Sequence, residues 1–437
     1  MEVLTTTIDA LTSTLSRQEF QHSVLVYLIV GVLLAFLLGF SLGAHDVANT
    51  FGTSTAGALL LGYNVVESMR KGVVDTELYV GEEREYFIGQ LAVLAACSLW
   101  LLITTFMQLP VSSSHSIVGS TVGFSIALKG LVGINWSMIY SIAASWVISP
   151  LFSGLVSGTL YVLVDMLILR RDNPIKWGLA CIPFFYFFCI AFNVFNIVFQ
   201  GSKILGIEHI PFGWSMLIAI GSGLVIGLAV QFCMRPFLIR YINKADEPTE
   251  EVKTDLKKPT DYDFDSNLND GGMAVAPASP TNVPRQQRFG ICAEAVFTAC
   301  FAGFAHGAND VGNAISPVAA MLSVYLEDSI WVFVFGAVSI VIGLWCLGHK
   351  IIVVVGSKMS HIHPASGFTI EFGAALGLPI STTHSLIGSV VTVGSLKSGR
   401  GVDWSIFRNI VFAWLVTLPV TVGLSACLTL LLKWLVM

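Results

Sequence analysis

Seven long apolar runs dominate this chain, at roughly residues 24–42, 87–109, 137–169, 177–200, 212–234, 329–355 and 404–432. Most are long enough for the ~20 residues that a spanning helix needs, and all are too long for the strands of a membrane barrel. Across 437 residues the composition is 54% hydrophobic and 12% charged, which is too little charge to coat a soluble globule of this size. The chain therefore reads as an all-α polytopic membrane protein. Its first two dozen residues are polar, with Asp9, Arg17, Glu19 and His22, and lack the basic start and small-residue cleavage site of a secretory signal. The first apolar run is accordingly expected to remain as a span. Eight cysteines at irregular spacing, without a CxxC pair, read as buried thiols rather than disulfides or a zinc site. The net charge of −5 carries no information about partners.

Polar, glycine-rich sequence then interrupts the apolar pattern twice in the same way. Gly43-Ala44-His45-Asp46-Val47-Ala48-Asn49 is followed by Pro110-Val111-Ser112-Ser113-Ser114-His115-Ser116. In the second half, Gly307-Ala308-Asn309-Asp310-Val311-Gly312-Asn313 is followed by Pro379-Ile380-Ser381-Thr382-Thr383-His384-Ser385. A third pair, Gly133-Ile134-Asn135-Trp136-Ser137 and Gly401-Val402-Asp403-Trp404-Ser405, keeps nearly the same offset. Repeated polar, broken sequence inside a membrane protein points to a transport site shared by two repeats.

The organisation expected is a polar N-terminal segment (1–23), a first transmembrane repeat (24–169), connecting helices (170–234), a disordered loop (235–288) and a second repeat (289–437). Arg170, Arg171 and Lys176 place one loop in the cytoplasm, and Arg235, Arg240, Arg285 and Arg288 place the long one there too. Two spans lie between them, so the two assignments agree. The first repeat thus ends where the second begins, and an odd number of crossings per repeat makes the copies inverted; an even number makes them parallel.

Glycines and Pro317 among His45, Asp46, Asn49, His306, Asn309, Asp310 and Asn313 predict backbone opened at membrane depth, tolerable where it is buried in protein or lines a watery cavity. Asp46 and Asp310 are costly there unless each meets a cation or a polar partner. Plain helix capping and interhelical glue explain one such motif as well as transport does; duplication favours transport. The Pro-Val/Ile-Ser-Ser/Thr-Ser/Thr-His-Ser segments read as tips of re-entrant hairpins or as helix starts. They offer hydroxyls, backbone donors and a positive dipole end, which suit an oxyanion. Neither signature contains Lys or Arg, so an anion beside two carboxylates needs accompanying cations. Sodium held by carboxylate, amide and carbonyl oxygens supplies that charge, and protonation of substrate or carboxylate is the alternative. His45, His115, His306 and His384 are donors or proton carriers, the second and fourth best read as neutral structural groups. A hydrolase triad from Ser112, His115 and Asp46 lacks a nucleophile-elbow context. The Asn135-Trp136-Ser137 sequon carries little weight.

At GAHDVANTFGTS, LPVSSSHSIVGSTVGFS, FAHGANDVGNAISP, SGFTIE, GLPISTTHSLIGSVV and GVDWSIFRNIVFAWLVT the chain resembles the PiT inorganic phosphate transporters. The resemblance implies two inverted repeats with broken helices and re-entrant hairpins, and a non-enzymatic sodium:phosphate symporter working by alternating access. Position by position it implies phosphate at Asn49, Ser113, Ser114, Asn313, Thr382 and Thr383, and sodium at Asp46, Asn309, Asp310 and Glu371. No cofactor is implied beyond co-transported sodium or, in some members, protons. The partners are phosphate, sodium and the lipid bilayer, not nucleic acid, and a homodimer is compatible. The implied location is multi-pass in the plasma membrane.

Three features depart from that family. His45 stands where asparagine is usual, which alters a cation site or its pH dependence. After Gly52-Thr53-Ser54 the family continues through another apolar helix bearing a glutamate, whereas here Thr55–Tyr63 leads almost at once to Val66-Glu67-Ser68-Met69-Arg70-Lys71. Glu371 is likewise followed only by 372–378 before Pro379. The chain therefore reads as a shortened isoform or an incomplete gene model. The alternatives to sodium symport are a proton-coupled oxyanion carrier and a shortened, non-transporting membrane protein.

Overall fold

The computed structural model describes residues 2–45, 52–202, 205–207, 210–245, 285–325, 331–360, 362, 364–376, 381–397 and 401–436. The apolar runs become helices, because only a helix satisfies each backbone N–H and C=O inside its own segment where water is absent. The first group is α1 (Glu2–His45), α2 (Gly52–Lys71), α3 (Glu83–Phe106), α4 (Ser113–Lys129) and α5 (Trp136–Val164). Then come α6 (Pro174–Gln200), α7 (Phe212–Ala229) and α8 (Arg235–Ala245). The second group is α9 (Arg285–Tyr325), α10 (Trp331–Leu347), α11 (His349–Val353), α12 (Pro364–Leu376), α13 (Thr382–Leu396) and α14 (Trp404–Val436). Among the described residues six helices are long and apolar enough to cross a membrane, and α10 and α11, bent by 56° at their break, form either a seventh, broken span or a re-entrant segment. With 17, 13 and 15 residues, α4, α12 and α13 fall short of the ~20 needed to cross.

The two groups pack reciprocally. Helix α1 packs on α10 and α3, while α9 packs on α2 and α12; α4 packs on α3 and α14, while α13 packs on α12 and α5. Exchanging α1 with α9, α2 with α10, α3 with α12, α4 with α13 and α5 with α14 turns these contacts into one another. Glycines of the repeated motifs make close approaches to neighbouring helices. Gly43 abuts the backbone of Ile340 in α10 and Gly307 that of Ser54 in α2; Gly119 abuts the Leu418 carbonyl in α14 and Gly388 the Pro150 carbonyl in α5. Lipid gives helices no hydrophobic reason to associate, so small residues that admit a neighbouring backbone decide where they meet.

Several expectations change. The second polar signature does not open the backbone: α9 runs unbroken through Gly303–Pro317. Its glycines serve close packing instead, Gly307 against Ser54 and Gly312 against Val65 and Gly62. The region after Ser54 is not bare of helix, since α2 sits on α9 as α10 sits on α1. In the second half, α12 has 13 described residues where its counterpart α3 has 24. The polar stretch 235–288 is helical at both ends, in α8 and the start of α9, and residues 246–284 lie outside the described ones. Of the six cysteines described, all free, Cys97 and Cys189 are buried but Cys233, Cys346 and Cys427 are exposed on the apolar exterior that a bilayer tolerates. Asn135 is occupied structurally, its carbonyl oxygen capping α5 at Met138 and its amide bonding the Gly72 carbonyl, as Asp403 caps α14.

Close approach at glycine gives a directional test. Gly388→Val places carbon against the Pro150 backbone, which cannot rotate away, and is expected to cost at least about 2 kcal/mol. Gly221→Ala in α7 meets nothing within 4 Å and gains up to about 1 kcal/mol of helix propensity. Thermal unfolding of the purified protein in detergent should show a lower midpoint for the first and an equal or higher one for the second.

Candidate functional site

Both hydroxyl-rich segments are helix starts. Ser112 caps α4 by accepting the His115 N–H, and Ser381 caps α13 by accepting the His384 N–H, each at 3.4 Å. A serine oxygen can hold an orphan donor of the first turn, so the local sequence dictates the helix start. These two starts meet tip to tip. The Ser381 hydroxyl donates to Ser112 Oγ at 3.0 Å, the Thr383 hydroxyl to the Val111 carbonyl at 3.3 Å, and the His115 and His384 rings lie 4.7 Å apart. Each Ser and His thus touches its own duplicate. Their surroundings differ slightly. Trp146 donates to His115 Nε2 at 3.1 Å, whereas its duplicate Trp414 stacks on His384 at 3.8 Å and donates to the Pro110 carbonyl at 3.2 Å.

A small cavity opens beside these tips. Asp310 and Glu371 supply its carboxylates, Thr382 and Thr383 its hydroxyls, and His45 and His306 its imidazoles; Ile351, Val355, Leu386 and Ile387 form an apolar wall. No Lys or Arg is among the lining residues. The Thr382 hydroxyl lies 3.4 Å from Asp310 Oδ1, joining α13 to α9 at the tip. One turn along α9, Asn313 donates to Ser114 Oγ at 2.8 Å, joining α9 to α4, and its own amide oxygen has no partner among the described residues. The amide nitrogen of the buried Asn309 likewise has none. Asp310 and Asn313 are both fully buried on the same face of α9, as their spacing of three requires.

The structure therefore brings together Asp310, Glu371, Thr382 and Thr383 around one cavity, with Asn313 and Ser114 bonded beside it. Ser113 is buried in the first turn of α4. Asp46 and Asn49 lie outside the described residues. Motif reading did not reach the α3 hydroxyls, Thr104 and Thr105, which hold His45 at 3.3 and 2.9 Å; they sit in an apolar run with no motif around them. The helix-start serines do not form a hydrolytic site. Ser112 is engaged by Ser381 and by the His115 backbone, and the His115 Nε2 that a triad needs is taken by Trp146.

Helix N-termini favour negative charge nearby and buried carboxylates call for a cation or a polar partner, and this cavity has both beside it. Sequence comparison finds the description "Phosphate transporter family" matching residues 53–425. Sodium-dependent phosphate transporter 1-A of Danio rerio is 29% identical, over 96% of this chain and 97% of its own length. Sodium-dependent phosphate transporter 1 of Mus musculus is 27% identical, over 99% of both. The first alignment runs over 630 positions, more than this chain's length, so that relative carries residues without a counterpart here. A solved structure described as "The sodium-dependent phosphate transporter" superposes with a TM-score of 0.71 at 29% identity, covering 94% of this chain and 99% of that one.

Because Ser112 and Ser381 cap their helices and bond each other, their loss should be non-additive. Each serine-to-alanine change is expected to cost about 1 kcal/mol, and the double variant less than the sum by about 0.5–1.5 kcal/mol. A double-mutant cycle on unfolding free energies measures the coupling directly.

Proposed function

The chain belongs to the phosphate transporter family, and on that premise we propose that it carries inorganic phosphate across the membrane together with sodium. The observation that supports this best is the cavity at the meeting point of α4 and α13, which presents helix N-termini and hydroxyls beside Asp310 and Glu371 but no cationic side chain. Two unit charges of like sign repel by about 4 kcal/mol at 4 Å in an effective dielectric of 20, close to a thousandfold in affinity. An anion cannot share this cavity with ionised carboxylates unless cations enter with it. Coupling follows from the missing Lys and Arg rather than from a separate device.

In this reading Asp46, Asp310 and Glu371 balance the sodium charge, while Asn49 and the hydroxyls of Ser113, Ser114, Thr382 and Thr383 hold phosphate. The amide geometry argues for a change to the two asparagines of α9. Asn313 spends its N–H on Ser114 and keeps an acceptor oxygen, which suits sodium; Asn309 keeps an N–H, which suits the anion. Tip-to-tip meeting of two half-length helices is the arrangement expected of inverted repeats, and rocking of one repeat on the other about the Ser112–Ser381 axis exposes the cavity alternately to the two sides. The plasma membrane is the membrane we assign to it.

The short α12 supports one further reading: a chain that binds phosphate without moving it. Uptake of labelled phosphate into vesicles holding the purified chain, in sodium against choline, separates the readings. Sodium-stimulated uptake is expected; binding without uptake favours the non-transporting form, and uptake driven by a proton gradient but indifferent to sodium overturns sodium coupling. Asp310→Asn is expected to lower sodium-driven uptake at least about 100-fold at unchanged protein amount, as removal of a buried charge partner does. Unchanged uptake would remove Asp310 from the mechanism.

A further inference from the structure

His45 is one of the positions at which the two copies of the signature differ, and its duplicate is Asn309. It ends α1, is 3% exposed and lines the cavity with Asp310, Glu371, Thr382 and Thr383. We propose that His45 selects which tetrahedral oxyanions this cavity accepts, by taking a hydrogen bond from a hydroxyl carried by the substrate. The proposal rests on the oxyanion-transport reading above and adds the chemical class that the site admits.

Its geometry fixes the tautomer. His45 Nε2 lies 2.9 Å from the Leu101 carbonyl oxygen, which has no proton to give, so Nε2 must be the donor. The hydroxyls beside it agree. Thr105 Oγ1, 2.9 Å from Nε2, directs its own proton to the Leu101 carbonyl at 2.7 Å, and Thr104 Oγ1, 3.3 Å from Nε2, directs its own to the Trp100 carbonyl at 3.0 Å. Both oxygens are therefore left as acceptors toward the ring. With the proton held on Nε2, a neutral imidazole carries a bare lone pair on Nδ1. Nδ1 is buried and has no partner among the described residues. Nε2 meets only a carbonyl and hydroxyls and no carboxylate, so the neutral ring is the form on which the proposal stands.

A bare lone pair repels an ionised oxygen and welcomes a hydroxyl. Phosphate and arsenate keep at least one hydroxyl at neutral pH, whereas sulfate has none. A ligand without it leaves Nδ1 buried and unpaired, and sites built to bond a substrate hydroxyl reject analogues that lack it more strongly than apolar pockets reject misfits. Asparagine at this position can turn its N–H toward an ionised oxygen, so it lacks this discrimination.

The test is equilibrium binding of labelled phosphate to the purified full-length chain in sodium, displaced by unlabelled arsenate or sulfate; binding is read without any need for transport. Arsenate is expected to compete nearly as well as phosphate, and sulfate roughly 100-fold less well or worse. His45→Asn should narrow the gap between arsenate and sulfate by about 10-fold or more. Thr105→Val, which removes one partner that orients the ring, should narrow it by a smaller factor, about threefold. An unchanged gap in His45→Asn, or equal competition by sulfate and arsenate in the wild type, overturns the proposal. If His45→Asn does not fold, an unchanged gap in Thr105→Val overturns it instead. A wild-type chain that binds no phosphate at all contradicts the function proposed above, a separate result.

Discussion

Everything around the site depends on the contact of two helix starts, Ser112 against its duplicate Ser381. A helix start buried in a membrane protein exposes backbone donors that must be satisfied, and a serine cap meets only part of that demand. Bringing two such starts together concentrates unsatisfied donors and two positive dipole ends at one place. That arrangement favours negative charge, and it is the basis on which we propose that an anion binds here without a single Lys or Arg lining the cavity.

The reciprocal packing explains how such a contact is held. Gly119 and Gly388 let α4 and α13 lie directly on the backbones of α14 and α5, so each half-length helix is clamped by the long last helix of the other repeat. Gly43 and Gly307 do the same for the segments that carry the carboxylate motifs. Duplicate residues thus make duplicate contacts, and the departures from that pattern stand out: Trp146 bonds a histidine where Trp414 lies against one, and His45 faces α3 hydroxyls where the Asn309 amide nitrogen has no acceptor among the described residues.

Much of this was legible in the sequence. The apolar runs marked the long helices, because hydrophobic length is a direct consequence of bilayer thickness. The Ser-x-x-His pattern after proline marked the starts of α4 and α13, because capping is a local interaction. Glycine was harder to read. In Gly307 and Gly312 it resembled a break in the chain, yet α9 continues, because the same missing side chain that loosens a helix also admits a neighbouring backbone, and only the neighbour decides which effect prevails. The fixed tautomer of His45 was beyond sequence reading altogether, since Thr104 and Thr105 approach it from a different helix and carry no motif.

The central claim is that the anion sits where α4 and α13 meet. An electron cryomicroscopy map of the protein in sodium phosphate, beside one in choline chloride, tests it most directly. The account predicts a tetrahedral density between the first turns of the two helices, touching Thr382 and Thr383, that appears only with sodium and phosphate together. Phosphate density elsewhere in the protein, or at this point without sodium, would contradict it.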